Sequence, residues 1–383
     1  MQGGVGDCTY QLGRALSQLG HQVVVVTSTK ATGFSPRKDA AAQDPEARPI
    51  VDRWSWGCWG QVVKTAQDTR ADVVHIQYQT AAYGMHPAVN LLPLRFRLLR
   101  QRPRLLVTFH DLRAPYLFPK AGVVREWANR LLARWSDAVI ATNVEDYQQL
   151  KATGLPAHPH LIPIGSNIRP RVPRGYDRRE WRHSLGVADD ETLLCYFGFL
   201  NASKGGETLF RALSELLRRD LPAKLVMIGG QVGDSDLTNR AYLERVKALG
   251  QELGVTDQVL WTGYIASEEV SASFAAADIC VLPYRDGVSY RRGTLMAALA
   301  HGVPIISTEP RVPMDTLAHG QNIFLVPADD PGATADAVER LSADTELCAR
   351  LARGAQELAQ SFTWDHIAAQ TAQLYQQLSE DAP

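Results

Sequence analysis

The sequence of 383 residues has no apolar run near the roughly 20 residues that a helix needs to cross a bilayer. Its glycine-rich, charged start lacks the apolar core of a secretory signal. Cysteine is scarce. Cys8, Cys58, Cys195, Cys280 and Cys348 are scattered, odd in number and without metal-ligand spacing, which argues against both a disulfide framework and a zinc site. Cys195 and Cys280 fall inside apolar stretches and read as buried thiols. Charge of one sign is also missing: a net charge of −1 gives no overall field to gather nucleic acid or an anionic membrane. These absences point to a globular protein of the reduced cytoplasm that binds no nucleic acid.

What is present is an ordinary globular composition, 45% hydrophobic and 21% charged. The chain is long for a single core, so two domains are expected. Apolar strands alternate with helical stretches in two runs separated by the Pro/Arg-rich residues 169–174. The expected fold class is therefore α/β, with two Rossmann-like parallel-sheet domains facing across a cleft. The expected boundaries are 1–168 for the first domain and 169–364 for the second. A terminal helix, 365–383, is expected to pack back on the first domain. Residues 30–50 read as a surface loop and residues 331–358 as helical.

The start is unusual. Residues 1–6, MQGGVG, read as a glycine-rich loop, and residues 7–19 as an amphipathic helix. Such a loop normally follows a strand, and none stands before it, so the first domain is expected to lack its first strand. Gly3, Gly4 and Gly6 let backbone approach a ligand or simply make a tight turn. Their spacing is not the dinucleotide fingerprint.

Residues 281–308, VLPYRDGVSYRRGTLMAALAHGVPIIST, carry the most pointed local signal. A strand over 279–283 ends in the charged loop 284–292, followed by the apolar helical run 294–300. Gly302 and Pro304 stop that helix before a second strand. In a βαβ unit such a loop lies at the carboxyl end of the first strand, where open α/β sheets bind ligands. The loop also runs into a helix N-terminus, whose free N–H groups and dipole favour an anion such as a diphosphate. Arg285, Arg291 and Arg292 add positive charge. A charged surface loop on a structural unit is the alternative.

Two further residues stand out. His110, followed by Asp111, closes an apolar strand, where a neutral imidazole can donate a hydrogen bond to a substrate or serve as a satisfied structural histidine. Lys204 sits in a loop between strand and helix, either neutralising phosphate or simply solvated. Arg95, Arg97, Arg100, Arg102 and Arg104 make a basic stretch that reads as a solvated face, with peripheral membrane contact as the minority reading.

Taken in order, several short motifs resemble the family 4 retaining glycosyltransferases of the GT-B architecture, also called glycosyl transferases group 1. They are Gly3-Gly4-Val5-Gly6, Phe109-His110-Asp111-Leu112, Ile162-Pro163-Ile164-Gly165-Ser166-Asn167 and Phe197-Gly198-Phe199-Leu200 with Lys204-Gly205. Met227-Ile228-Gly229-Gly230, Thr262-Gly263-Tyr264 and Ala276-Ala277-Asp278 with Leu282-Pro283-Tyr284 follow. Ala298-Leu299-Ala300-His301-Gly302-Val303-Pro304 and Phe362-Thr363-Trp364 complete the set, which spans nearly the whole chain.

The resemblance implies transfer of a sugar from a nucleotide-sugar to an acceptor, with retention at the anomeric carbon and with neither cofactor nor required metal. It implies that the second domain holds the nucleotide and the first the acceptor, whose identity it leaves open. His110 would contact the donor sugar and Lys204 the diphosphate, making these two the catalytic candidates. Gly293, Thr294 and Leu295 would cradle the diphosphate, with Arg291, Arg292 and the glycines Gly3, Gly4 and Gly6 nearby. Gly263 and Tyr264 would meet the base, with Asp286 and Ser289 in the same vicinity.

The chain departs from the family pattern in two places. The usual Glu-x7-Glu pair aligns with Ser289 and Ala297, and an arginine common before Leu200 is replaced by Phe199. The lost glutamates motivate a second reading, a protein that binds nucleotide-sugar or glycan without turnover. A nucleotide-sugar epimerase would need a carboxylate pair for proton chemistry, and none is evident.

Overall fold

The computed structural model describes residues 4–30, 44–112, 122–155, 159–230 and 237–380. The chain divides into two compact units, Met1–Asn167 with Phe362–Pro383, and Ile168–Ser361.

In the first unit, α1 (Gly4–Gln18) leads to β1 (Val24–Ser28), which pairs in parallel with β2 (Glu46–Val51). β2 falls where the sequence reads as loop. Pro49 weakens the strand signal, yet among the described residues β2 pairs only with β1, and such an edge strand tolerates proline. α2 (Cys58–Asp68), β3 (Val73–Tyr78), α3 (Ala88–Arg97), β4 (Arg104–Phe109), α4 (Gly122–Trp135), β5 (Ala138–Ala141), α5 (Val144–Ala152) and β6 (Pro159–Leu161) follow. The last four strands form a parallel sheet in the order β3-β4-β5-β6. β4, with the sequence RLLVTF, is buried on both faces, as a near-continuous apolar run in a parallel sheet requires.

No strand precedes α1 among the described residues, and β1 and β3 are not paired with each other. A cavity of about 740 Å³ lies against both, lined by residues 21–27 and 69–77 without a break. Successive side chains of a strand point to opposite faces, so consecutive lining residues mean that the cavity meets the two strands at their edges.

Two of the motifs close this unit. Trp364 opens α13 (Trp364–Glu380), and its indole Nε1 donates to the carbonyl of Ser166 at 2.8 Å. A Cβ on Gly165 would stand 2.8 Å from the carbonyl oxygen of Phe362 and 2.9 Å from the Trp364 ring, so only glycine fits there. Below this join, Ile367, Ala368, Leu374 and Leu378 of α13 pack against Cys8, Leu12, Ala15 and Leu16 of α1.

The second unit begins with α6 (Arg178–Ser184), which the sequence reading missed although Asp177 caps it by accepting from the Glu180 amide. β7 (Thr192–Phe197), α7 (Gly206–Arg218), β8 (Ala223–Ile228), α8 (Leu237–Glu252) and β9 (Val259–Gly263) come next. Then come α9 (Ser267–Ala276), β10 (Ile279–Leu282), α10 (Gly293–His301), β11 (Ile305–Thr308) and β12 (Phe324–Val326). The run expected to be helical over 331–358 is two helices, α11 (Pro331–Ala343) and α12 (Thr345–Ala359), joined at Asp344, which caps the second. Asp278 of the Ala-Ala-Asp motif is structural. It accepts from Arg178, from the buried Arg182 at 2.9 Å and from the Leu193 amide at 2.8 Å, tying α6 to the start of β7.

All six strands are parallel, in the order β12-β11-β10-β7-β8-β9. From β7 the chain runs outward through β8 to β9, and from β10 in the other direction to β12. The order reverses between β7 and β10, and the carboxyl ends of these two strands are where such a sheet leaves a crevice.

Candidate functional site

The crevice end of β7 is Gly198, with φ +104° and no room for a Cβ, which would meet the Thr294 methyl at 2.5 Å. The chain turns through Asn201, whose side chain caps the short helical turn Ala202–Lys204, and Gly205 in the left-handed region with φ +69° starts α7. Lys204 is thereby directed at α10. Its Nζ donates to Thr294 Oγ1 at 3.3 Å and lies 5.3 Å from the centre of the Tyr284 ring. Tyr284, fully buried just after β10, shares a hydrogen bond with the same Thr294 hydroxyl.

Arg292 approaches the Tyr284 ring too, its guanidinium 5.0 Å from the centroid. It pairs with Asp286 and shares Ser203 Oγ at 3.4 Å. Burial and the Arg292 charge push the Lys204 ammonium down to about 7, against a smaller opposing pull from Asp286. With Lys204 protonated, two cations and one carboxylate stand around a buried aromatic, leaving an excess positive charge that an anion would neutralise.

The expected cradle needs correction at one position. Leu295 N–H bonds the Arg292 carbonyl at 2.9 Å, so it is already satisfied. The amides of Gly293 and Thr294 have no acceptor among the described residues, and Arg292, the N-cap, supplies no side-chain cap. Buried Ser289 Oγ and Arg292 Nε also lack partners. The arginines separate as well. Arg285 is exposed and paired with Asp329 at 2.7 Å, whereas Arg292 is held in the cluster.

Lys204, Asp286, Arg292 and Thr294 thus come together. Gly263 and Tyr264 do not join them. They sit at the end of β9, three strand spacings or about 14 Å from β10 along the sheet, and the Tyr264 side chain is exposed. Phe199, in place of the family arginine, stands half exposed, and a Cβ on Gly230 would be 2.7 Å from its ring.

In the first unit, His110 follows β4 and donates its amide to the Tyr78 carbonyl at 3.0 Å. Its Nε2 lies 2.9 Å from Gln77 Oε1, and burial holds the imidazole down to about 4, so it is neutral at ordinary pH. Gly4 and Gly6 are the opening residues of α1, where the sequence reads as a loop before a helix. Gly3 lies outside the described residues.

Comparison with known proteins agrees with this layout. The model of the Glycosyl transferase 4-like domain matches residues 3–165, and that of Glycosyl transferases group 1 matches residues 177–358. A D-inositol 3-phosphate glycosyltransferase of Streptomyces bingchenggensis is 29% identical over 246 residues, covering 63% of this chain and 52% of that protein. A GDP-mannose-dependent alpha-(1-6)-phosphatidylinositol monomannoside mannosyltransferase of Mycobacterium tuberculosis is 28% identical, covering 64% of each chain. The chain thus spans between about half and two thirds of the length of these curated relatives. Among solved structures, sucrose-phosphate synthase from Thermosynechococcus elongatus shares the fold with a TM-score of 0.75 at 24% identity, over 99% of this chain and 94% of that one. Anabaena HepE in complex with UDP and glucose has a TM-score of 0.76 at 20% identity, over 98% and 96%. Two family models that between them take in both units, and whole-chain structural likeness, place the protein: the chain belongs to the group 1, family 4 glycosyltransferases and has their GT-B fold.

Proposed function

We propose that this chain transfers a sugar from a nucleoside-diphosphate-sugar to an acceptor, with retention at the anomeric carbon and without a required metal. The observation that carries the reading is the cluster at the switch point of the second unit. There a half-buried lysine, an arginine and two helix-start amides without an acceptor among the described residues lie together. A leaving nucleoside diphosphate develops negative charge, and fixed donors in a dry site stabilise that charge most. The binding of UDP by a protein of the same fold supports a nucleotide donor here. His110 is assigned to a sugar hydroxyl. The absent glutamates do not favour an inactive protein, because Asp286 and Arg292 supply a different polar pair beside the cradle. Release of nucleoside diphosphate from UDP-, GDP- or ADP-sugars tests the reading, and the anomeric configuration of the product tests retention.

A lipid-linked acceptor at a membrane surface is favoured by one observation. Leu94 on α3 and Leu98 just after it, and Val124 and Trp127 on α4, are exposed where the two helices pack together, beside Arg97 and Arg100. No helix among the described residues is long and apolar enough to cross a membrane. The protein is expected to sediment with vesicles containing phosphatidylglycerol, and Trp127→Ser with Leu98→Ser to reduce that binding at least about tenfold, the loss expected from removing two buried apolar side chains. Equal binding by the variant would remove the membrane role.

A further inference from the structure

β3 and β4 pair in parallel with His75 opposite Leu106 and Gln77 opposite Thr108. Alternation puts His75 and Gln77 on one face of β3 and Ile76 and Tyr78 on the other. The second face, with Leu105, Val107 and Phe109, is buried core, and the Tyr78 hydroxyl on it bonds Asn90. The first carries a polar stripe instead. His75, Gln77, Thr108 and His110 are linked by hydrogen bonds, and the stripe ends on Tyr375 of α13.

The orientation of the Gln77 amide sets the donors and acceptors along this stripe. Gln77 Oε1 only accepts, so His110 Nε2, 2.9 Å away, carries the proton. Gln77 Nε2 only donates, so His75 Nε2 at 3.1 Å is bare and also receives the Thr108 hydroxyl at 2.7 Å. His75 then holds its proton on Nδ1 and donates it to the Tyr375 hydroxyl at 2.8 Å. Every bond is satisfied with both rings neutral, and burial depresses both, His75 to about 3 and His110 to about 4. The only nitrogen left over is His110 Nδ1, a lone-pair acceptor without a partner among the described residues. The sequence expectation, an imidazole that donates to substrate, would need the other tautomer.

We propose that Gln77 is a positioning residue: its amide locks His110 in the Nε2–H tautomer and so presents Nδ1 as an acceptor for a hydroxyl of the sugar substrate. The inference rests on the glycosyltransferase reading for its substrate. It does not use that reading for the tautomer, and this separates the two tests. With histidine labelled by nitrogen-15, and His110 identified by the signals lost in His110→Ala, the wild-type protein is expected to show a protonated Nε2 and a bare Nδ1. The opposite pattern overturns the proposal.

In turnover, Gln77→Leu is expected to lower kcat about tenfold, the size of effect expected from losing one ordinary hydrogen bond. KM for the donor should change little, and Gln77→Glu, which still only accepts from His110, should keep most of the activity. His110→Ala is expected to cost about 100-fold, and adding Gln77→Leu to it should cost nothing more, because the glutamine acts only through the histidine. A full further loss in the double variant overturns the positioning role even if Gln77→Glu fails to fold. Unchanged turnover in His110→Ala instead overturns the assignment of His110 to the sugar, whatever its tautomer.

Discussion

Lys204→Met is expected to abolish sugar transfer while making the protein without nucleotide more stable. The ammonium is buried against Tyr284 and Thr294 with Arg292 beside it, and this holds it down from the ordinary 10.5 to about 7. Below pH 7 both the folded and unfolded chains carry the proton, so the full cost of burying the charge is borne by the fold. Between 7 and 10.5 the unfolded chain binds a proton that the folded one does not, so stability rises with pH across that window. That cost is a few kcal/mol in order of magnitude. Methionine fills similar space without charge, so thermal melts should show the variant gaining most at pH 6 and least near pH 10. Loss of a fixed cation facing the developing diphosphate should lower kcat/KM about 1,000-fold. A nucleotide anion also restores the ordinary affinity of Lys204 for its proton. Calorimetry of diphosphate binding should then find proton uptake at pH 8.5, little at pH 6, and weaker binding as pH rises above 7. A variant that is both less stable and fully active would remove Lys204 from the site.

Gly205→Ala is the second large effect, and it acts through the backbone. Gly205 has φ +69°, and an added Cβ would lie 1.8 Å from the carbonyl oxygen of Pro283, a contact that side-chain motion cannot relieve. Gly254 has the same φ of +69° with nothing within 4 Å of such a Cβ, so Gly254→Ala isolates the cost of the left-handed conformation. That cost is about 1–2 kcal/mol. The carbonyl clash should bring Gly205→Ala to about 4 kcal/mol or more, the range reserved for a named steric fault. It should also weaken nucleotide binding, since Gly205 directly follows Lys204 and Pro283 precedes Tyr284. Urea unfolding of both variants checks this. Equal midpoints would show that the loop moves aside freely and that its close approach to β10 does not position the lysine.

Much of this arrangement is legible in the sequence. Alternating apolar strands and helices give two parallel-sheet domains, and the βαβ unit with its arginines points to the crevice at the end of β10. The Lys-Gly pair after β7 is legible for the same reason, because a loop after a parallel strand is where ligands bind. Other parts depend on pairings that no single stretch encodes. Arg292 reads as free positive charge until Asp286 is seen beside it, and Leu295 N–H reads as available until the Arg292 carbonyl takes it. α6 escaped a reading by apolar periodicity because it is short and highly charged, although the Asp177 cap was there to be found. The polar stripe had a signal as well. His75 and Gln77 are polar residues two apart in an apolar strand, which puts both on one face, but that His110 reaches the same face requires the β3–β4 register. The motifs Ile162–Asn167 and Phe362–Trp364 meet each other in the fold, through the Gly165–Trp364 contact and the bond from Trp364 to Ser166.

The most direct test of the account is release of nucleoside diphosphate from a panel of UDP-, GDP- and ADP-sugars, run with the wild-type chain and with Lys204→Met. The expected result is release from one donor by the wild type and none above background by the variant. Equal release by both proteins would contradict the account. So would silence across the panel from a wild-type protein that binds no nucleoside diphosphate, because the cluster of Lys204, Arg292 and the α10 amides would then have no anion to hold.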